Sequence, residues 1–270
     1  MNKQSKRRTH WLVLAAAFPT LAVAQSGMGQ MGQGGMSQSG MGQMDTGHTG
    51  MGQSGMELMN QASGTSMNPQ SSAMPMSMPS LGSWSLMLMG QAFIADTQQS
   101  GPRGGDKFYS TNWFMGAAQH KVGNGAFQIQ LMLSLEPATI TGRRYPELFQ
   151  TGETAFGKPI VDGQHPHNLI MALGFQYAHP IADKASVEFY FAPVGDPALG
   201  PVAFPHRASA AEFPEAPLSH HWQDSTHIAD DVVTVAAKYH WTRLEVSGFH
   251  GAEPGENRWI IQQGAIDSWS

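Results

Sequence analysis

Apolar and polar residues alternate most regularly between Ala126 and Glu136, where Phe127, Ile129, Leu131, Leu133 and Leu135 interleave with Ala126, Gln128, Gln130, Met132 and Ser134. Period two marks a strand with unlike faces, one here strongly apolar and the other small or polar without charge. Asn112 to His120 precedes it, and the intervening Lys121-Val122-Gly123-Asn124-Gly125 predicts a hairpin, because an Asn-Gly step accepts positive φ. Further strands are expected over Ser83 to Ala95, Leu169 to Ala178, Ala185 to Ala192, Asp231 to Trp241, Leu244 to His250 and Gly264 to Ser270. Short links, Pro180 to Lys184 and Thr242-Arg243, alternate with long loops, Gly142 to Asn168 and Pro193 to Asp230.

Long strands with short turns on one side and long loops on the other are the pattern of an outer-membrane barrel. Trp84, Trp113, Tyr177, Trp241 and Trp269 fall near strand ends, where interfacial girdles lie. The expected fold class is therefore all-β: an antiparallel outer-membrane-type β-barrel of roughly eight strands over residues 81–270. A secreted β-sandwich or lipocalin-like barrel, with the same alternation turned toward a protein core, is the soluble alternative. The chain stops at Asp267-Ser268-Trp269-Ser270 inside an expected strand, so the barrel is expected to be incomplete at its C-terminus, since an unpaired edge in lipid is costly.

The first eighty residues break this pattern. Lys3, Lys6, Arg7 and Arg8 precede an apolar run from Trp11 to Leu21 and the small-x-small triplet Ala22-Val23-Ala24, the layout of a cleaved signal peptide over residues 1–24. The run contains Pro19 and falls short of the roughly 20 residues a spanning helix needs. Loss of four leader cations, with no anion among residues 1–24, takes the formal charge from −5 to −9. An acidic mature chain argues against nucleic acid as a partner, because phosphate binding needs clustered Lys and Arg.

Residues 25–80 are nearly all Gly, Gln, Ser and Met, too poor in aliphatic and aromatic groups to offset chain entropy, and are expected to form a disordered tail in the periplasm. Methionine is patterned there: Met28/Met31, Met41/Met44 and Met56/Met59 form M-x-x-M pairs, and Gly-Met-Gly-Gln recurs at Gly27, Gly40 and Gly50. Thioethers prefer Cu(I), so these six methionines are candidate copper ligands, with repeat expansion of a plain linker as the alternative. The tail resembles the Met-rich stretches of bacterial copper-resistance proteins.

The chain has no cysteine, which excludes disulfide scaffolds, thiolate metal sites and cysteine nucleophiles. Imidazole is the other metal-ligating group in quantity. Seven histidines lie between Asp162 and His227, concentrated in Asp162-Gly163-Gln164-His165-Pro166-His167 and in Leu218 to His227. His165, His167, His220, His221 and His227 are candidate ligands of Cu(II) or Zn(II) if the two loops converge; the alternative is that they pin plug-like loops through backbone hydrogen bonds. Gly152 to Lys158 imitates a phosphate-binding loop, but Pro159 replaces the magnesium-binding hydroxyl. No nucleophile elbow, His-Glu-x-x-His or dinucleotide fingerprint occurs, and no catalytic residue or cofactor is assigned beyond the copper ion.

The segments Arg143-Arg144-Tyr145-Pro146-Glu147-Leu148-Phe149-Gln150-Thr151-Gly152-Glu153, Asp162 to His167 and Leu218 to His227 resemble an uncharacterised family of predicted bacterial outer-membrane β-barrel proteins, over about Trp84 to Ser270. The resemblance implies location in the outer membrane and a longer barrel, and brings no activity or ligand set. The expected function is metal handling, copper binding in resistance or efflux, with two alternatives: a structural or transport barrel without a metal role, and a secreted β-protein with a His-rich metalloenzyme site.

Overall fold

The computed structural model describes residues 12–14, 58–69, 71, 74–198, 202–218, 220 and 229–270. In chain order the strands are β1 (Leu12–Leu14), β2 (Ser80–Leu81), β3 (Trp84–Ala92), β4 (Ile94–Gln98), β5 (Asp106–Tyr109), β6 (Asn112–Val122), β7 (Gly125–Leu133), β8 (Tyr145–Ala155), β9 (Lys158–Gln164), β10 (Ile170–Ala182), β11 (Ala185–Val194), β12 (Ala229–Tyr239), β13 (Thr242–Gly251) and β14 (Ser268–Trp269). Nine of them make one antiparallel sheet in the order β14-β13-β12-β11-β10-β7-β6-β3-β2. Among the described residues no ladder joins β2 to β14, so the sheet is open. β8 and β9 form a separate hairpin, and β1, β4 and β5 a small third sheet.

Two-residue turns at Gly123-Asn124, Asp183-Lys184 and His240-Trp241 close one end of the wall, while the segments between β3 and β6, β7 and β10, and β11 and β12 all leave from the other end. The expected asymmetry of short and long connections is thus present. Within the first turn positive φ falls on Gly123 (59°) and not on Asn124, the type II′ pattern, so the expected Asn124-Gly125 step is shifted by one residue. Gly125 serves another purpose: a Cβ there would lie 2.5 Å from the Ala178 carbonyl oxygen.

Several expected elements differ. The run from Ser83 to Ala95 breaks at Phe93, after which β4 leaves the wall to pair with β5 and with β1, a strand inside the expected leader. The strand expected over Ala126 to Glu136 ends at Leu133, where Pro137 opens a single helical turn over Glu136–Thr139. The loop expected over Gly142 to Asn168 is mostly the β8–β9 hairpin, whose register slips twice between Pro146 and Thr154 and so leaves no period to read. Gly264 to Ser270 contributes only β14.

Register divides the wall into two unlike faces. On one, the opposed pairs Phe114/Leu133, Leu131/Leu173, Ile129/Phe175, Phe175/Phe191, Tyr177/Phe189, Phe191/Val233, Phe189/Val235 and Val235/Val246 make continuous apolar rows. This face is bare: Leu88, Phe114, Leu131, Phe189, Phe191, Val233, Val235, Leu244 and Val246 are between 38% and 74% exposed. At the edge near the short turns it ends in Trp84, stacked on His120 at 4.9 Å, with Tyr177 beside His179 and Tyr239 beside His240.

The opposite face is covered by the chain itself. Leu58 and Met74 pack with Met87, Met89, Trp113, Met115, Ala117, Met132, Met171, Ala172 and Ala211 in the largest buried cluster, against which Met76 and Met78 also rest. Residues 58–69 and 74–80 therefore belong to the fold, and the expected tail boundary at residue 80 is too late. The unbranched methionine side chain fills irregular gaps, which lets a segment without Leu, Ile or Val beyond Leu58 bury a face. Polar residues complete the covered face: Gln61 donates to Gln130 at 2.8 Å, Gln128 donates to Gln61, Thr234 and Ser247 share a hydrogen bond at 2.7 Å, and Arg243 bridges Glu188 and Glu245 at 2.8 and 2.7 Å. Trp113, expected in an aromatic girdle, is on this face and 6% exposed.

Candidate functional site

The long excursions at the open end fold back over the covered face, and the groups they bring there include four buried imidazoles. His165, His167, His206 and His220 are 4%, 8%, 1% and 2% exposed. His165 and His167 follow β9, with Pro166 between them; His206 closes a 3-10 turn over Phe204–His206; His220 follows from the same β11–β12 excursion. Phe204 organises the group: its ring stacks on His167 at 5.8 Å and meets His220 edge-on at 5.7 Å, and His220 lies 6.1 Å from His165 between centroids. The two histidine loops therefore leave from the same end and do meet, with Phe204 in contact with both His167 and His220.

Carboxylates orient two of these rings. Glu136, 1% exposed, accepts the backbone N–H of Asn112 at 3.1 Å, that of His167 at 2.7 Å, and faces His167 Nδ1 at 2.9 Å. Glu153 lies 2.7 Å from His165 Nε2 and 3.1 Å from Arg258, while Arg258 also donates to Asn168 at 3.4 Å. His165 Nδ1 is 2.8 Å from the Pro166 carbonyl, so both its nitrogens face acceptors, an arrangement that two protons satisfy. Burial, with Arg258 adding repulsion, nevertheless holds this ring down at about 4 against the pull of Glu153. At neutral pH one of those two contacts therefore lacks its proton, unless the proton resides on Glu153.

His206 differs from the others. Neither ring nitrogen has a hydrogen-bond partner among the described residues, and burial alone lowers its pKa to about 4. Its ring meets Trp113 edge-on at 5.1 Å. Beside this group, Tyr109 and Thr97 donate to Glu215 at 2.7 and 3.1 Å, and burial, followed by repulsion from Glu215, raises the Glu147 carboxyl to about 8.

Among the described residues no three His, Asp or Glu side chains converge as a metal ion requires. Of the expected ligands, His165 and His220 come together, His167 is held by Glu136, and Met59 is half-buried in the helical turn at residues 58–60. Met28, Met31, Met41, Met44, Met56, His221 and His227 lie outside the described residues, as does the leader apart from residues 12–14. Sequence reading missed Phe204, His206, Glu136, Glu153 and Arg258 as parts of the site. Only His206 carried a signal, as one of the seven histidines of this region; a lone Arg or Glu in a long loop has none. No family model matches the chain, and no curated protein or solved structure is similar to it.

Proposed function

We propose that the chain is the wall of an exported outer-membrane-type β-barrel whose interior is filled by its own loops, and that this interior handles a transition-metal ion, copper first. One observation carries the reading. The face that a soluble protein would hide is bare and apolar, while the face its loops cover is lined by thioether, imidazole, amide and carboxylate groups. Monomeric soluble proteins rarely expose contiguous apolar patches beyond a few hundred Å², whereas a bilayer demands them of every strand. The wall strands β3, β6, β7, β10, β11, β12 and β13 run 9 to 13 residues, as tilted crossings require. Trp84, Tyr177 and Tyr239 at one rim suit a headgroup boundary.

Envelope fractionation of the full chain, with gel migration compared before and after boiling, tests the barrel. A heat-modifiable band in the outer membrane is expected, and a soluble periplasmic species would refute it. Copper tolerance of cells with and without the protein tests the cargo, with unchanged tolerance as the refuting result. A second reading, a plugged barrel without a metal role, is favoured by His165, whose Nε2 faces Glu153 and whose Nδ1 faces the Pro166 carbonyl, an arrangement that pins a loop.

A further inference from the structure

We propose that the methionine-packed core of the covered face, together with His206, binds a soft monovalent d10 cation, Cu(I), for which Ag(I) is the redox-inert substitute. The proposal rests on the metal half of the functional reading and not on the barrel; it moves the thioether site from the N-terminal repeats into the fold.

Sulfur is concentrated there by register. Met89 stands directly opposite Met115, and Met115 directly opposite Met132, in one row across β3, β6 and β7. Met132 is in turn opposite Ala172, and Met171 sits at the register shift just before it. Met87 lies one step along β3, and Met74, Met76 and Met78 arrive from the covering segment. Side chains directly opposed on one face have Cβ atoms about 5 Å apart, and the thioether has three rotatable bonds behind it, so sulfurs of this row can reach a common ion. Methionine is also an ordinary core filler, so sulfur alone does not decide the matter.

His206 does. It is 1% exposed, and both its nitrogens lack a partner among the described residues. Native interiors rarely leave polar atoms in that state without a water, an ion or a chemical role behind it. Its one ring contact among the described residues is Trp113, two residues from Met115 on the same face and in the same buried cluster. Burial keeps the imidazole neutral at ordinary pH, the form that offers a lone pair. The donor set is therefore neutral thioether plus neutral imidazole, soft and borderline ligands that select Cu(I). Glu136 borders the same cavity as Trp113, but both its oxygens are engaged by Asn112 and His167, so it is not counted among the ligands.

The test uses the full chain with Met28, Met31, Met36, Met41, Met44, Met51 and Met56 replaced by Ser, so that the repeats cannot bind. Equilibrium dialysis against Ag(I) is expected to find one ion per chain. Affinity should fall at least tenfold in the double variant Met115→Leu/Met132→Leu and in His206→Leu, with His240→Gln, in an exposed short turn, unchanged. Absence of binding in the serine chain, or core variants that bind as tightly as the serine chain, overturns the proposal. Should a variant fail to fold, X-ray absorption at the copper edge of the Cu(I)-loaded serine chain decides: sulfur scatterers support the site, and a shell of nitrogen and oxygen alone refutes it. Copper binding by the unaltered chain that vanishes with the serines would remove the core site and leave metal handling standing.

Discussion

A cation placed on the bare face distinguishes lipid from water as its surroundings. Val235 is the residue of choice: it lies in the middle of β12, is 43% exposed, and stands between Phe189 on β11 and Val246 on β13. From Val235 the strand runs 4 residues to Tyr239 and 6 to Ala229. At about 3.3 Å per residue and a tilt near 45°, these spans are about 9 and 14 Å along the membrane normal, which puts Val235 near the middle of a ~25 Å apolar band. A Lys at that depth costs about 2–4 kcal/mol, or about 30-fold to 700-fold in the folding equilibrium. On a water-facing surface the same change stays within about 0.5 kcal/mol. Trp241, 92% exposed in the short turn, is the control, where Lys should cost about 1 kcal/mol or less. Urea unfolding in phosphatidylcholine vesicles, followed by tryptophan fluorescence, measures both variants. If Val235→Lys and Trp241→Lys are equally benign, or the parent is a monodisperse soluble monomer without detergent, the bare face is not a lipid face.

Glu136→Leu should destabilise the chain by at least about 2–3 kcal/mol in the same assay, because it strands the buried N–H groups of Asn112 and His167; a loss below 1 kcal/mol would remove Glu136 from the role of anchor. Gly64→Ala should release residues 58–69 from the covered face, since Gly64 has φ 58° and a Cβ there would lie 2.5 Å from the Asp196 carbonyl oxygen; limited proteolysis of that segment, no faster than in the parent, would contradict this. His206 has a pKa lowered from 6.5 to about 4, so its contribution to stability is present above pH 6.5 and lost as pH falls toward 4. His206→Leu should therefore flatten the stability profile in that window, and an unchanged slope counts against a buried neutral ring. Glu147 is raised from 4.5 to about 8, so its contribution is present below pH 4.5 and lost as pH rises through 8. Glu147→Gln should remove that decline, and a decline that persists assigns it elsewhere.

Much of the wall was legible in the residues. Phe127, Ile129, Leu131 and Leu133 against Gln128, Gln130 and Met132 define a two-faced strand whatever surrounds it, because side chains alternate across a pleated backbone. The hairpin over Lys121 to Gly125 was legible as well, from its turn residues, although positive φ falls on Gly123 and not on the expected Asn124-Gly125 step. Even the end from which both histidine loops leave follows from counting the two strands, β10 and β11, between them. These are local or nearest-neighbour properties, and a linear chain carries them explicitly.

What covers the wall is not local. Met74, Met76 and Met78 read as solvated tail beside the repeats before them, and only Met87, Met115 and Met132 waiting on the sheet make them core. Trp113 reads as a girdle residue until its face is known, and then becomes the support of His206. The β8–β9 hairpin escapes because its register slips erase the period, and Glu136 because a strand-like run continues past Leu133 in composition while the backbone turns at Pro137. Alternation by itself determined that this protein is antiparallel sheet with unlike faces. Which face is bare, and which buried groups meet beneath the loops, was decided by tertiary structure, because residues such as His165 and His220 are brought together only when segments far apart in sequence fold over the same strands.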